Sequence, residues 1–514
     1  MKYFLGIDAG TSLVRAVVLG EDGYLAGSGE VEYRTNMPQH NYVEEDPNEW
    51  WNACQNAVKT AISLSDAGNK IEAIGITGQL CAATMLDKNL DPVQNAIIWL
   101  DQRATGEQAY IEKNFPQDVY INIAANSPDA GFLVPKLMWM QQNRPEEYEK
   151  IDKVLCCKDY LRFKMTGEIS TDVTEASTTF LFDVPNRTWS EDLFSAFGIK
   201  RTIVPEIVHE SCDVAGYLLP EVAKPLGLKS GIPVVAGSGD RLANATGNNV
   251  IDSGMISATL GASSVIFAAT DSPIIDKNNC AIFSMCHVQP NKWCVFGGNI
   301  GAGESFKWLR NVIFSIERKE LAFLRKDVYD YMNDLALLAK PGSSGLFFLP
   351  YLRGSQTPHY DPNASGIFLG ITHHHGREEI CRSVIEGITF SLRDTLEFLR
   401  EHNINTTELV VAGGRAESKL WRQIQADTFN ASVWSTNIED PTACGVALMA
   451  AAGCGAFASL KDACNAIIKV SNKISPIPSN VDVYEKYYQT YRSIYPILKE
   501  ACAKQAEMLQ DHQA

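Results

Sequence analysis

Asp240 has the surroundings of a chemically active residue. Ile232-Pro233-Val234-Val235 reads as a buried strand, Gly237-Ser238-Gly239 makes a loop, and Asp240 stands at its end. Ala243-Asn244-Ala245-Thr246-Gly247 then opens a small-residue helix. A carboxylate delivered by a strand into a glycine loop sits where open α/β sheets bind ligands, outside the carboxyl ends of their strands. The plainer alternative is that Asp240 only caps the following helix. A second acid, Asp8, opens the turn Asp8-Ala9-Gly10-Thr11-Ser12 between the apolar runs Tyr3–Ile7 and Leu13–Leu19. Backbone N–H groups of such a glycine-hydroxyl hairpin can wrap phosphate oxygens, while the acid faces a divalent cation directly or through water. The alternative here is an ordinary hairpin turn.

That layout recurs. Met255–Leu260 is followed by Gly261-Ala262-Ser263-Ser264 and the apolar Val265-Ile266-Phe267. Two such hairpins half a chain apart suggest a duplicated domain, each half offering a phosphate-gripping turn. Gln79 ends the strand Ile71–Thr77, which Ala83–Leu86 is expected to continue, and Trp99, Asp101 and Arg103 follow Ala96-Ile97-Ile98. Hydrogen-bonding groups beside an aromatic face suit a polyhydroxylated ligand; the alternative is an Asp101/Arg103 surface pair with Trp99 in the core. Glu408–Ala412 runs into Gly413-Gly414, a turn on which an adenine or ribose can lie flat. No Gly-x-Gly-x-x-Gly occurs, which argues against a dinucleotide-dependent dehydrogenase.

The elements holding these groups read as strands alternating with helices. Helices are expected near 46–51 behind an Asp-Pro start, at Leu133–Gln142, Ser305–Val312, Arg377–Arg400, Lys419–Thr428 and Cys444–Gly455. Leu161–Trp189 reads as turn-rich, and Arg353–Gly366 as a long polar loop. The small-residue helices at Leu242–Gly247 and Cys444–Gly455 suit close packing and a hinge. Val483–Leu509 is expected to be helical, with Tyr484, Tyr487, Tyr488, Tyr491 and Tyr495 on one packing stripe and a kink at Pro496.

At 514 residues the chain exceeds one comfortable core, so two large domains are expected. A net charge of -16 disfavours nucleic acid and anionic membrane as partners. No apolar stretch is long enough to span a bilayer, and the apolar start is too short for a signal peptide, so a cytoplasmic location is expected. Thirteen cysteines without a Cys-x-x-Cys pair read as small buried hydrophobes in a reducing compartment.

With these pieces laid out, the chain resembles the FGGY carbohydrate kinases over nearly its whole length, and within them the xylulokinase-like branch. Gly131–Asn143 follows one family signature except for Leu133, where Pro, Ser or Thr is usual, and Gly366–Gly387 fits a second throughout. Asp8–Ser12, Gly75–Gln79, Trp99–Arg103, Lys158–Leu161, Thr166-Gly167, Gly239-Asp240 and Ala412–Gly414 fall in the family's order.

The resemblance implies an α/β chain of two actin-like ATPase domains with a ribonuclease H-like core, flanking a deep cleft. It divides the chain into residues 1–246, residues 247–480 and a C-terminal helix over 481–514. It also implies ATP- and Mg²⁺-dependent phosphorylation of a sugar or polyol, with a pentulose such as xylulose as the default. Carried over by position, Asp240 is the general base and Asp8 the acid near the magnesium. Gly10, Thr11 and Ser12 form the first phosphate hairpin, Gly261, Ala262 and Ser263 the second, and Gly413-Gly414 the adenosine turn. Gln79, Leu80, Cys81, Trp99, Asp101 and Arg103 lie on the sugar side. A homodimer is left open.

Departures from the family pattern bear on substrate more than on reaction. Leu80-Cys81 stand where xylulokinases usually have Met-His, which removes a histidine donor to the sugar. Arg241 follows the catalytic Asp where Asn is usual, a permanent cation with a five-donor fork. Ala262 replaces a Thr, and Gly354-Ser355-Gln356 stands for Gly-Glu-Arg. Arg241 is expected to read an extra oxygen or a carboxylate, which keeps another ketose, a polyol or a sugar acid open. A non-catalytic ATP- and sugar-binding member is the other alternative.

Overall fold

In the computed structural model, which describes residues 1–511 apart from 262, 263, 279, 280, 300 and 414–417, each of the two hairpins founds a seven-stranded mixed sheet. In the first, Tyr3–Ala9 pairs antiparallel with Leu13–Gly20, which pairs antiparallel with Leu25–Glu32, while Ile71–Gly78 lies parallel on the other flank. In the second, Ile256–Leu260, Ser264–Thr270 and Trp293–Asn299 make the same antiparallel trio, with Glu408–Ala412 parallel on the flank. The duplication legible in the turns is thus a duplication of sheet topology.

The central strands are apolar on both faces, and each face is covered by helix. Pro47–Ser65, capped by Asp46 and with Pro at its start, covers one face of the first sheet. The opposite face is covered from far away in sequence, by the small-residue helix Pro441–Gly453. A Cβ on Gly6 would lie inside contact distance of the Ala443 carbonyl oxygen, and one on Gly75 would meet that of Val446. The same helix packs on Asp240–Gly247, where Gly445 faces the Ala243 carbonyl and Gly247 that of Pro441. The two small-residue helices therefore meet backbone to backbone, as their composition predicts.

In the second half the 25-residue helix Arg377–Glu401 runs through the core. The helix Pro478–Asp511 lies along it and continues through Pro496. Tyr484, Tyr488, Tyr491 and Tyr495 are all buried, and the stripe is a packing surface. Its hydroxyls answer buried acids: Tyr484 donates to Glu386, Tyr488 to Asp394 and Tyr495 to Asp361, each at 2.7 Å.

Two local expectations change. Thr84–Leu86 does not extend Ile71–Gly78 but pairs with Lys153–Leu155, because Cys81 adopts φ +64° and turns the chain out of the sheet. The stretch expected to be turn-rich begins inside a regular helix, Cys157–Thr166, which Gly167 ends at φ +75°. Of the twelve described cysteines, eight are buried. No helix among the described residues is long and apolar enough to cross a membrane.

Candidate active site

Three carboxylates converge where the first sheet meets the helices 240–247 and 441–453. Asp8 lies near the end of its strand, opposite Arg15 and beside Thr77. Its Oδ1 is buried and has no partner among the described residues. Burial lifts its pKa well above the usual carboxylate range, the charges of Asp240 and then Asp440 push it further, and Arg15 opposes them. Asp240 is not the cap of its helix; Gly239 is, and Asp240 occupies the first turn, its Oδ1 accepting the Arg241 N–H at 2.8 Å. Burial raises the Asp240 pKa too, against the Arg241 guanidinium. A poorly solvated acid of raised basicity is suited to accept a proton.

The turn after Asp8 is anchored through its carbonyls. Gly10 O accepts the Tyr33 hydroxyl, Thr11 O the Thr35 hydroxyl at 3.3 Å, and Ser12 O the Tyr33 N–H at 3.1 Å. No hydrogen bond among the described residues engages the N–H groups of Gly10, Thr11 or Ser12, which leaves them open to an anion. The second hairpin approaches from the other side. Thr259 Oγ1 donates to Asn244 Oδ1, and Asn244 Nδ2 donates to Thr442 Oγ1, both at 3.2 Å. Gly413, at φ +95°, abuts the Leu260 carbonyl, so the turn after Glu408–Ala412 sits against the second hairpin. Gly261 is exposed at its tip, while Ala262, Ser263 and Gly414 lie outside the described residues.

Asp440 and Thr442 escape the sequence reading. Asp440 caps Pro441–Gly453 by accepting the Ala443 N–H at 3.2 Å, and its other oxygen takes Arg15 at 2.8 Å. The available signal was Asp440-Pro441 itself, a cap followed by a first-turn proline, three residues ahead of the start expected for that helix.

The residues expected on the sugar side divide into two groups. Trp99 is half-buried and its Nε1 donates to Thr11 Oγ1 at 3.0 Å, which ties this wall to the first hairpin. Leu80 packs over Gly239, next to Asp240, and Arg241 is partly exposed beside the acid. Cys81 is partly exposed, its carbonyl held at 2.6 Å by the buried Lys136 Nζ. By contrast, Gln79, Asp101 and Arg103 face inward. Gln79 Nε2 donates to Glu45 at 2.6 Å, and Arg103 bonds Asp101 and Glu44, each at 2.8 Å, beneath the Tyr42 ring. Glu45 also takes Trp50 Nε1 at 2.9 Å, and burial raises its pKa to about 7. Gln79 Oε1 and Arg103 Nη1 nevertheless keep no hydrogen-bond partner among the described residues. The acids that hold these side chains, Glu44 and Glu45, went unread because a two-residue strand carries no periodicity.

Two duplicated sheets with a desolvated pair of acids and paired turns define an α/β, two-domain actin-like ATPase fold, and the comparisons agree. The N-terminal domain of the FGGY family of carbohydrate kinases matches residues 3–247, and the C-terminal domain of that family matches residues 256–454. A xylulose kinase of Lactococcus lactis is 34% identical over 502 residues, covering 96% of this chain and 97% of its own. The crystal structure of a xyloylose kinase from Brucella ovis superposes with a TM-score of 0.88 at 29% identity, covering 97% of this chain and all of its own, 100%. That of gluconate kinase from Lactobacillus acidophilus does so at 0.90 and 26% identity, covering 98% and 99%. The chain belongs to the FGGY family of carbohydrate kinases. It is a xylulokinase-like enzyme that phosphorylates a sugar with ATP.

Proposed function

We propose that the acceptor is a pentulose such as xylulose and that Asp240 takes the proton from its attacking hydroxyl. The observation supporting this reading is Asp240 itself: a desolvated acid in the first turn of its helix, within electrostatic reach of Asp8 and on the helix whose Asn244 bonds Thr259 of the second hairpin. Gly10, Thr11 and Ser12 would hold phosphate oxygens through their open amides, and Gly261–Ser263 would do so from the opposite side. Gly413-Gly414 would carry the adenosine. Trp99, Leu80, Cys81 and Arg241 would line the acceptor end, with Gln79, Asp101 and Arg103 fixing that wall.

The site fits a magnesium ion held through water. Asp8 Oδ1 is buried without a partner among the described residues and is repelled by Asp240 and Asp440, yet no three such side chains among the described residues gather closely enough to ligate a metal directly. When bound, the ion neutralises phosphate charge. The protein positions the hydroxyl in line, excludes water and receives the proton at Asp240.

A second reading rests on Arg241, whose guanidinium borders the base and can grip a carboxylate; the structural likeness to a gluconate kinase is in line with it. ADP release measured over D-xylulose, other ketoses, polyols and aldonates separates the two. A clear preference for D-xylulose supports the first reading, and preference for an aldonate replaces it with the second.

A further inference from the structure

The polar loop after Phe347–Leu349 is anchored at both ends. At its base, Asn299 Oδ1 accepts the Gln356 N–H and Asn299 Nδ2 donates to the Thr357 carbonyl, both at 2.8 Å, while Thr357 Oγ1 takes the Gly298 N–H at 3.0 Å. These bonds tie it to Trp293–Asn299 of the second sheet. Four residues beyond Gln356, Tyr360 leaves that sheet's territory. Its hydroxyl donates to Asp129 Oδ2 at 2.8 Å and accepts from Gln108 Nε2 at 3.2 Å. Both partners belong to the first half of the chain and are themselves fixed. Asp129 Oδ1 accepts the Gly131 N–H at 2.7 Å, and Gln108 Oε1 accepts the Ala130 N–H at 3.0 Å.

The Tyr360 backbone takes φ +43°, a left-handed conformation costly for a bulky residue and kept only where surroundings enforce it. Here the enforcing bonds lie on both sides: its N–H to the Gln356 carbonyl at 2.6 Å and its hydroxyl to Asp129. The chain of contacts continues inward. A Cβ on Gly131 would sit 3.2 Å from the Trp99 carbonyl, and Trp99 in turn bonds Thr11 of the phosphate hairpin.

We propose that the Tyr360–Asp129 hydrogen bond is a latch between the two halves of the enzyme. It makes Tyr360 a positioning residue that holds Trp99 and the Thr11 turn against the acceptor when the cleft is shut. The inference rests on the acceptor lying at the Trp99 wall. Opening the latch frees the second-half loop from segment 127–131, weakens acceptor binding and admits water to the nucleotide.

The test compares Tyr360→Phe, which keeps the ring and removes the hydroxyl, with Asp129→Asn and with the double variant. Expected in Tyr360→Phe are a KM for the acceptor raised about tenfold, the scale of one hydrogen bond to a charged group, and a KM for ATP within about twofold of wild type. ADP release without acceptor should rise several-fold relative to coupled turnover. The double variant should be no worse than Tyr360→Phe alone, because that change already removes the bond to Asp129. Equal increases in both KM values with a lowered Tm, or unchanged acceptor KM and unchanged basal ADP release, would overturn the latch. If no acceptor supports turnover in wild type, the pentulose reading fails instead. The latch is then judged by small-angle scattering, where Tyr360→Phe must have a larger radius of gyration than wild type and an equal radius refutes it.

Discussion

Arg15 and Asp440, separated by 425 residues, meet at 2.8 Å and pin the strand after the Gly10–Ser12 turn to the start of the helix that backs its sheet. Arg15 also bonds Glu30 at 2.6 Å and counters the raised pKa of Asp8. Asp440 thus has two separable roles. Asp440→Ala removes a cap and should lower stability by about 1 kcal/mol. Asp440→Asn retains a good cap and should leave stability within about 0.5 kcal/mol of wild type, because the Arg15 side chain is 40% exposed. Both variants should lose turnover. Urea unfolding beside steady-state kinetics reads the two effects apart, and equal instability in both variants would contradict the division.

Asp240→Asn preserves size and packing but removes the proton acceptor. Turnover should fall by ~10²–10⁴-fold, with the dissociation constant for ATP close to wild type. Turnover within tenfold of wild type would remove Asp240 from the role of base.

The contact between the two small-residue helices predicts an asymmetry among glycines. Gly445→Ala would drive a methyl into the Ala243 carbonyl and should destabilise by roughly 1–3 kcal/mol or prevent folding. Gly106→Ala, on the helix Thr105–Asn114 with nothing within 4 Å of the added carbon, should be neutral or stabilise by up to about 1 kcal/mol. Denaturant midpoints of the two variants test the ordering.

Asp394, on the helix Arg377–Glu401, sets a pH dependence. Burial raises its pKa from 3.8 to about 7, against the Tyr488 hydroxyl that donates to it. The native state therefore keeps a proton that the unfolded chain releases, and the associated stability is whole below about pH 4 and lost as pH rises through about 7. Asp394→Asn, neutral at every pH, should flatten the decline in unfolding free energy across that window by up to about 1.4 kcal/mol per unit. An unchanged slope would show that Asp394 titrates alike in both states.

Local chemistry explains what could be read in advance. The paired hairpins announce themselves through glycine-hydroxyl turns between apolar runs, and Arg377–Glu401 through sustained helical spacing. Asp8 and Asp240 stand out because an acid beside glycines at a strand end is unusual. Asp440 is an ordinary cap until Arg15 arrives from the other end of the chain. The inward turn of Gln79, Asp101 and Arg103 depends on Glu44 and Glu45, and the departure of Thr84–Leu86 from the sheet depends on one backbone angle at Cys81. Long-range partners and single dihedrals leave no periodic trace.

The helix Pro441–Gly453 has a consequence for how the polypeptide matures. The sheet begun by residue 3 keeps one apolar face bare on the ribosome until more than four hundred further residues have been made, since nothing nearer in sequence among the described residues supplies the backbone-close cover that Gly6 and Gly75 admit. The amino-terminal half is thereby an unfinished object for most of its synthesis. A nascent chain stopped short of Pro441 would expose a sticky flat surface to chaperones and to its own copies.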